Sequence, residues 1–371
     1  MPAIIRILFF LLLIHVFFVA QADETVPEYA KNFSITEYPT FKLLTVRNAY
    51  RDASGEFKYA LVPKDASLPE DLPKDVTLIR TPVERVALME TVYIGYLDAI
   101  NRLESIHATA TARYISHPKV VARIASGNVR KLQSGQELDI EQLLLLQPDA
   151  IFTTTLGKGA FQFSPEIERA GLPLVVTADY MERHPLARTE WIKFIAAFYH
   201  ADAEATKLFD QIRSEYIRLK GMTESITDPP RVFCGAPYSG VWHVPGGGSY
   251  IAQLILDAGG AYKWSEDCTQ GSIPLDTERV FLKAVDADYW INPSHYRSLD
   301  ELLSADSRFA KFQAVQRRQV FNNTKQEGPS GGNNIWEAGI MQPEVILADM
   351  IQIFHPARLP EREMVYHMPL R

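Results

Sequence analysis

Beyond Pro82 the chain alternates short β-branched runs with helical stretches, and this alternation limits the fold more than any other feature. The strand candidates are Arg85–Met89, Ala150–Thr153, Leu174–Thr177, Arg231–Cys234, Tyr289–Asn292 and Gln319–Phe321. Helical patterns such as Ile140–Leu146 and Tyr250–Ala258 lie between them. Strands separated by crossover helices form mainly parallel sheets that helices cover on both faces. The sequence therefore predicts an α/β fold.

A proline-free segment between Pro185 and Pro229 interrupts this alternation. Four apolar residues recur there at helical spacing: Leu208, Ile212, Tyr216 and Leu219. This pattern predicts a long amphipathic helix. Because an α/β block lies on each side of it, we expect two α/β lobes joined by one long backbone helix. Ligand sites occur preferentially in the cleft between such lobes.

Upstream of Pro82 the pattern is strand-like with turn residues. The runs Phe41–Val46 and Phe57–Val62 flank Asp52–Gly55, which predicts a hairpin. We treat residues 23–80 as a β-rich N-terminal extension. The other expected units are an N-terminal lobe (81–186), a bridging helical segment (187–226) and a C-terminal lobe (227–371).

The first 22 residues have the pattern of an export signal. Arg6 precedes an apolar run from Ile7 to Val19, and Ala20-Gln21-Ala22 carries small residues at the positions that signal peptidase accepts. The run is shorter than the roughly 20 apolar residues that cross a bilayer, which argues against a membrane anchor. No cysteine lies near the cut. We therefore expect a cleaved signal peptide over residues 1–22, a periplasmic location and no lipid anchor.

Composition excludes several classes of protein. With 47% hydrophobic and 22% charged residues, the 371-residue chain is neither disordered nor collagen-like. Its net charge of -7 and the lack of a Lys/Arg run give no reason to expect nucleic acid as a partner. We expect a monomer.

Nothing in the sequence demands catalysis or a bound metal. The nine histidines show no paired metal-ligand spacing, and there is no G-x-S-x-G motif. The two cysteines, Cys234 and Cys268, cannot form a zinc or iron–sulfur cage by themselves. In an oxidising compartment they form a disulfide or remain free thiols, and the sequence leaves both open. We predict no catalytic residue, no metal site and no resident cofactor.

Two groups of residues stand out by position. Aromatic side chains lie near predicted loop ends: Tyr93, Tyr114, Tyr238, Trp242, Trp264 and Trp336. Exposed aromatic rings at concave loops suit a large, flat, partly apolar ligand, and ordinary packing is the alternative for each ring. Glu141 and Glu278 each lie two residues after an aspartate at the start of a predicted helix, where they would compensate the helix dipole.

Several segments together resemble one protein family. Asp139–Phe152 resembles a sequence block of periplasmic substrate-binding proteins for iron chelates and vitamin B12, in which a Pro-Asp pair precedes a strand. Ala170–Val176 resembles a second block of the same family. Val244–Gly260 is similar to that family's glycine- and serine-led helix, and Ala314–Phe321 to its terminal strand. The similarity runs in collinear order from about residue 82 to 356, so the chain is identified as a member of this ABC transporter family.

The resemblance implies a receptor that captures a metal chelate, a ferric siderophore or cobalamin, between its lobes and delivers it to an inner-membrane ABC permease. It assigns permease docking to Glu141 on one lobe and Glu278 on the other. The pocket loops of the family correspond to those that here contain Tyr93, Arg113, Tyr114, Tyr238, Trp242, Trp264 and Trp336. Arg113 would pair with carboxylates of a siderophore.

Three alternatives stay open. A haem receptor of the same transporter class is the closest one. An exported hydrolase using the cleft is disfavoured, because a nucleophile motif and metal spacing are missing. The N-terminal extension could also bind a separate partner. A single-helix bridge predicts only small lobe movement on ligand binding.

Overall fold

The computed structural model describes residues 23–371 except 70–71, 73–74, 135–136 and 156–169. The predicted signal peptide therefore lies outside the described residues. The strands are β1 (Asp23–Thr25), β2 (Phe33–Glu37), β3 (Lys42–Val46), β4 (Phe57–Pro63), β5 (Thr77–Thr81), β6 (Val86–Leu88), β7 (Ile106–Thr109), β8 (Arg130–Lys131), β9 (Gln133–Ser134), β10 (Glu137–Leu138), β11 (Ala150–Thr153), β12 (Leu174–Val176), β13 (Arg231–Cys234), β14 (Pro237–Tyr238), β15 (Val241–Pro245), β16 (Ala261–Tyr262), β17 (Ser272–Leu275), β18 (Tyr289–Ile291), β19 (Val320–Asn322) and β20 (Met368–Pro369).

The helices in the same residues are α1 (Val92–Ala99), α2 (Pro118–Ala125), α3 (Ile140–Leu146), α4 (Pro185–Glu190), α5 (Ile192–Ala197), α6 (Asp202–Gly221), α7 (Tyr250–Asp257), α8 (Thr277–Ala284), α9 (Leu299–Ala305), α10 (Gln313–Gln316) and α11 (Pro343–Phe354). Several of these helices have a short polar side chain at the N-cap position, where it accepts a backbone hydrogen bond. Ser249 follows the glycine run of residues 246–248 and is the N-cap residue of α7. Its hydroxyl accepts a hydrogen bond from the N–H of Ala252.

Each lobe contains a sheet that is mainly parallel. In the N-terminal lobe the strand order is β12-β11-β6-β7-β8, and all four pairings are parallel. In the C-terminal lobe the order is β16-β13-β18-β19-β20, and only β20 runs antiparallel to its neighbour. A small antiparallel sheet of β14, β15 and β17 lies beside it. The predicted α/β class is confirmed.

Three consecutive helices, α4 to α6, connect the two lobes. The longest, α6, has 20 residues, and its buried side recurs every three to four positions at Ala205, Phe209, Ile212, Tyr216 and Leu219. Its outer face is charged. The long amphipathic helix expected between the lobes is therefore present. It begins at Asp202, after the two shorter helices.

The segment before the lobes forms its own sheet. Strands β1 to β5 pair in chain order, and the predicted hairpin is confirmed by the antiparallel register of β3 against β4. This N-terminal sheet is joined to the rest through two buried carboxylates. Glu190 accepts hydrogen bonds from the N–H groups of residues 28–30, and Glu182 from those of Lys31 and Asn32.

The apolar residues of the N-terminal sheet belong to the same core as the lobes. Phe33, for example, packs against Trp191, with ring centroids 4.8 Å apart. The Tyr59 hydroxyl accepts a hydrogen bond of 2.8 Å from the N–H of Val176 in β12. The N-terminal sheet therefore shares one hydrophobic core with the lobes. Among the described helices, none has the length and apolar character to cross a membrane.

Candidate functional site

Polar residues gather where the parallel strands of the N-terminal lobe end. Glu90 follows β6, and its Oε1 accepts hydrogen bonds from the hydroxyl groups of Thr153 (3.3 Å) and Thr154 (3.2 Å) at the end of β11. Burial, with a smaller contribution from nearby Asp179, raises the pKa of Glu90 to about 8. In open α/β sheets this strand edge is where ligands bind. Glu90 therefore holds a proton at neutral pH beside a typical ligand site.

A chain of hydrogen bonds continues from this edge. The Tyr93 hydroxyl lies 2.9 Å from the Thr177 hydroxyl, which in turn donates to Asp179 Oδ1 over 2.9 Å. Asp179 Oδ2 lies 3.5 Å from an Nη2 of Arg188. Burial raises the pKa of Tyr93 well above its ordinary value, so its hydroxyl stays protonated.

Arg188 connects this network to the other lobe. Its guanidinium carbon lies 4.3 Å from the centroid of the Tyr250 ring at the start of α7. A guanidinium over an aromatic face is attractive, and more so where water is excluded. Sequence reasoning missed this contact, because the two residues are distant in the chain and belong to no shared motif.

Arg188 and Tyr250 line a small interlobe cavity. Its volume is about 40 Å³, and its walls also contain Val92, Asn292, Asn323, Ile335, Trp336, Pro343 and His367 among others. Such a volume holds about one water molecule. The Nε2 of the buried His367 has no hydrogen-bond partner among the described residues. In this conformation the interlobe cavity is too small for a metal chelate.

A second and larger space lies near the start of α4. This three-walled cleft is formed by two loops of the N-terminal extension (Tyr29, Lys31, Asn32, Asn48 and Tyr50–Asp52), by Tyr180–His184 with Ala187, and by the turn Cys268–Ser272 of the C-terminal lobe. Its volume is about 920 Å³. Ligand pockets for small molecules and cofactors span about 300–1,000 Å³. The three-walled cleft therefore has the size of a chelate site.

Three of the predicted ligand aromatics lie inside the lobes. Tyr93 and Trp242 are fully buried, and Trp264 is 6% exposed. The Trp242 indole donates to the carbonyl of Cys234 over 3.1 Å and packs against Phe233. None of these three rings lines the interlobe cavity or the three-walled cleft.

The other predicted ligand residues are exposed. Arg113 lies over the Tyr114 ring, with its guanidinium carbon 5.5 Å from the centroid. Gly332 packs directly against the Tyr114 carbonyl, and Trp336, which is 48% exposed, follows four residues later. The structure thus brings Tyr114 and the Gly332–Trp336 segment together. Tyr238 is 72% exposed on β14 and lines neither space.

Glu337 joins the two lobes. Its fully buried carboxylate accepts hydrogen bonds from the N–H groups of Ser116 (2.6 Å) and His117 (2.9 Å) just before α2. Its carbonyl packs against Gly95 of α1, where a side chain would collide with it. A carboxylate at a helix N-terminus is favoured by the helix dipole. The polar setting of Glu337 in the sequence gave no sign of this burial.

The two glutamates assigned to docking are both exposed at helix starts. Asp139 and Asp276 cap these helices by accepting hydrogen bonds from the N–H groups of Gln142 and Arg279. Glu278 forms an ion pair of 2.9 Å with Arg308. Each glutamate is followed four residues later by a leucine on the same helix face, and these leucines, Leu145 and Leu282, are 77% and 85% exposed.

The two cysteines are free thiols in the structure. Cys234 ends the buried strand β13, where burial raises the pKa of its thiol far above the ordinary range. Cys268 is exposed in the wall of the three-walled cleft. The structure thus shows no bond between the two cysteines. Within the described residues, no group of three or more His, Cys, Asp or Glu side chains is arranged to hold a metal ion.

A sequence model of the family described as periplasmic binding protein matches residues 86–327. The chain belongs to the periplasmic binding protein family. Proteins of this family bind substrates, and the predicted resemblance is confirmed. The match begins in β6, so the N-terminal sheet lies outside the part that defines the periplasmic binding proteins.

Several known proteins are similar to this chain in sequence or in fold. An uncharacterized lipoprotein of Methanocaldococcus jannaschii is 25% identical over 359 residues, which cover 91% of this chain and 83% of that protein. The Fe3+-hydroxamate transport protein structure from Saccharomonospora viridis has a TM-score of 0.56 at 16% identity, covering 74% of this chain and 94% of its own. A periplasmic heme-binding protein from Pseudomonas aeruginosa has a TM-score of 0.56 at 14% identity, covering 78% and 98%. These structural likenesses confirm the two-lobe fold.

Proposed function

We propose that this periplasmic binding protein captures a metal chelate in the three-walled cleft, where the Cys268–Ser272 turn of the C-terminal lobe faces the rest of the chain, and delivers it to an ABC permease in the inner membrane. The observation that carries the proposal is the three-walled cleft of about 920 Å³ in a chain whose family consists of substrate-binding proteins. Structural neighbours named for Fe3+-hydroxamate and heme favour an iron chelate as cargo. Ferric siderophore, cobalamin and haem are the candidates to compare.

A calorimetric titration of the mature protein tests this proposal. The panel contains a ferric hydroxamate, cyanocobalamin and haemin, each paired with its metal-free form where one exists. One chelate should bind saturably and raise the melting temperature by several degrees, since a ligand at 100 times its dissociation constant stabilises the folded state by about 2.7 kcal/mol. If no member of the panel binds, the cargo is not a chelate of this kind.

Export to the periplasm is part of the proposal. We infer that residues 1–22 are removed and that the mature chain begins at Asp23 without a lipid anchor. One relative is named as a lipoprotein, so the proposed absence of a lipid anchor needs a direct test. Mass spectrometry of the protein from its native host should give the mass of residues 23–371. A lipid-bearing mass in the membrane fraction would contradict this.

We infer that the permease docks on both lobes at once. Glu141 and Glu278 offer one exposed carboxylate per lobe, and Leu145 and Leu282 offer an exposed apolar contact one helical turn further on. Exposed leucines next to a charge suit a protein interface. The fitting partner surface has two basic residues, each beside an apolar depression. No catalytic step is needed for this role.

A further inference from the structure

The three-walled cleft contains cationic side chains from different parts of the chain. Lys31, before β2, and Arg51, between β3 and β4, come from loops of the N-terminal extension, and Arg183 comes from the segment that follows β12. Within the described residues none of the three forms an ion pair.

Two of these cations meet at one turn of the opposite lobe. With the Gln270 amide oriented so that its oxygen faces Arg183, that oxygen accepts from both Nε and Nη2 of the Arg183 guanidinium. An Nη2 of Arg51 lies 3.2 Å from the position that a β carbon would take on the next residue, Gly271. Both guanidinium groups therefore reach adjacent residues of the Cys268–Ser272 turn, from two different walls.

The acidic residues of the cleft do not neutralise this pair. The Glu182 carboxylate is already occupied by hydrogen bonds from the N–H groups of Lys31 and Asn32 and from the Trp191 indole, at 3.0–3.2 Å. Asp52 lines the cleft without an ion pair in the described part of the chain. Arg183 uses Nε and Nη2 on Gln270, which leaves its Nη1 as a donor, and the Arg51 guanidinium forms no side-chain hydrogen bond in the described part of the chain.

We propose that Arg51 and Arg183 form a carboxylate-binding subsite, so that the N-terminal extension takes part in selecting an anionic metal chelate. The planar guanidinium fork matches the two oxygens of a carboxylate. The ring of Tyr50 lines the same cleft and offers an apolar face beside the cations. This inference rests on the proposed capture of a chelate, and it adds the chemistry that the cargo must carry.

Point substitutions are the right test, because deleting residues 23–80 would uncover the buried carboxylates of Glu182 and Glu190. Arg51→Gln, Arg183→Gln and the double variant are compared with Arg130→Gln, which removes the same charge on β8 outside the cleft. The probes are ferric citrate and haemin, which carry carboxylates, and ferrichrome and cyanocobalamin, which do not. Metal-free citrate is the fifth probe. Binding is measured by calorimetry and melting temperature.

We expect the carboxylate chelates to bind the wild type and to lose about tenfold or more in affinity with each cleft substitution, as for hydrogen bonds to charged groups. Arg130→Gln should have no effect.

Binding of citrate alone in an Arg51-dependent way would support the subsite even if every chelate failed, and that result would contradict only the chelate receptor. Equal affinity of wild type and double variant for a bound carboxylate chelate would overturn the subsite and leave the receptor intact. An equal loss for neutral and anionic chelates would also overturn it, since the arginines would then act only on the fold.

Discussion

The guanidinium carbon of Arg188 lies 4.3 Å above the ring of Tyr250, so a cation from the bridging segment is held by an aromatic face of the C-terminal lobe. Arg188 reaches Asp179 on its other side, at 3.5 Å. The contact therefore connects a polar network of one lobe with the first residue of helix α7 in the other.

Removing this ring should destabilise the protein. We expect Tyr250→Leu to lower the free energy of unfolding by about 1–3 kcal/mol, because a buried guanidinium loses its cation–π partner. Tyr250→Phe keeps the aromatic face and should stay within about 0.5 kcal/mol of the wild type. Urea unfolding followed by circular dichroism measures both. Equal losses in the two variants would show that Tyr250 acts through its hydroxyl and not through its aromatic face.

Glu90 should make stability fall as the pH rises. Its pKa is about 4.5 when unperturbed and about 8 in the folded protein, so the folded state holds the extra proton between these values. Its contribution to stability is complete below pH 4.5 and is lost as the pH passes 8. Glu90→Gln cannot ionise and should gain on the order of a few kcal/mol relative to the wild type between pH 5 and 8.5. Exposed Glu361→Gln is the control and should follow the wild type. A constant difference between wild type and Glu90→Gln across this range would refute the raised pKa.

Glu337 should hold the lobes together. Glu337→Gln keeps the size of the side chain but replaces one acceptor oxygen by a donor facing the N–H groups of Ser116 and His117. We expect a loss of about 1–3 kcal/mol in the free energy of unfolding. Glu361→Gln again serves as the matched control.

Small-angle scattering of the wild type should show little change on ligand addition, and a large closure would contradict the connection of the two lobes through Glu337.

Permease docking should depend on both lobes. Glu141→Gln, Glu278→Gln, Leu145→Gln and Leu282→Gln should each lower chelate uptake by cells of the native host without changing the affinity for the chelate. We expect the larger effect, about tenfold, at Glu141, because Arg308 already partly neutralises Glu278. Uptake that stays at the wild-type level in the Glu141→Gln Glu278→Gln double variant would exclude this surface.

The thiols should report on the three-walled cleft. One thiol per chain, Cys268, should react rapidly with a water-soluble thiol reagent in the folded protein, and both should react after unfolding, because Cys234 is buried. A saturating chelate should slow the reaction of Cys268, which lines the cleft. Absence of any reactive thiol before reduction would mean that the two cysteines are bridged in the exported protein.

The sequence predicted the sheets well because parallel strands between crossover helices have a strong local pattern. It placed ligand aromatics less well. Trp242 alternates with the exposed Val241 and His243 on β15, and that alternation marks an inward side chain. Tyr93 lies on a helix covered on all sides, and its position near a loop end said nothing of this burial.

The contacts that define the candidate site could not be found from local pattern. Arg188 and Tyr250, or Glu337 and His117, meet because lobes pack, and nothing near any of them in the chain signals its partner. The cationic pair of the cleft needed three distant segments to converge. Exposure of Tyr114, Tyr238 and Trp336, by contrast, agrees with their turn-rich surroundings.

The buried carboxylates that hold the N-terminal sheet also set the order in which the molecule can fold. Residues 28–32 are synthesised early, but their acceptors, Glu182 and Glu190, follow 150–162 residues later. Contacts between such distant residues form slowly, because the entropy cost of closing a long loop comes before the contacts can stabilise the fold. Residues 28–32 are therefore among the last to be fixed in place, because they need the much later segment that contains Glu182 and Glu190.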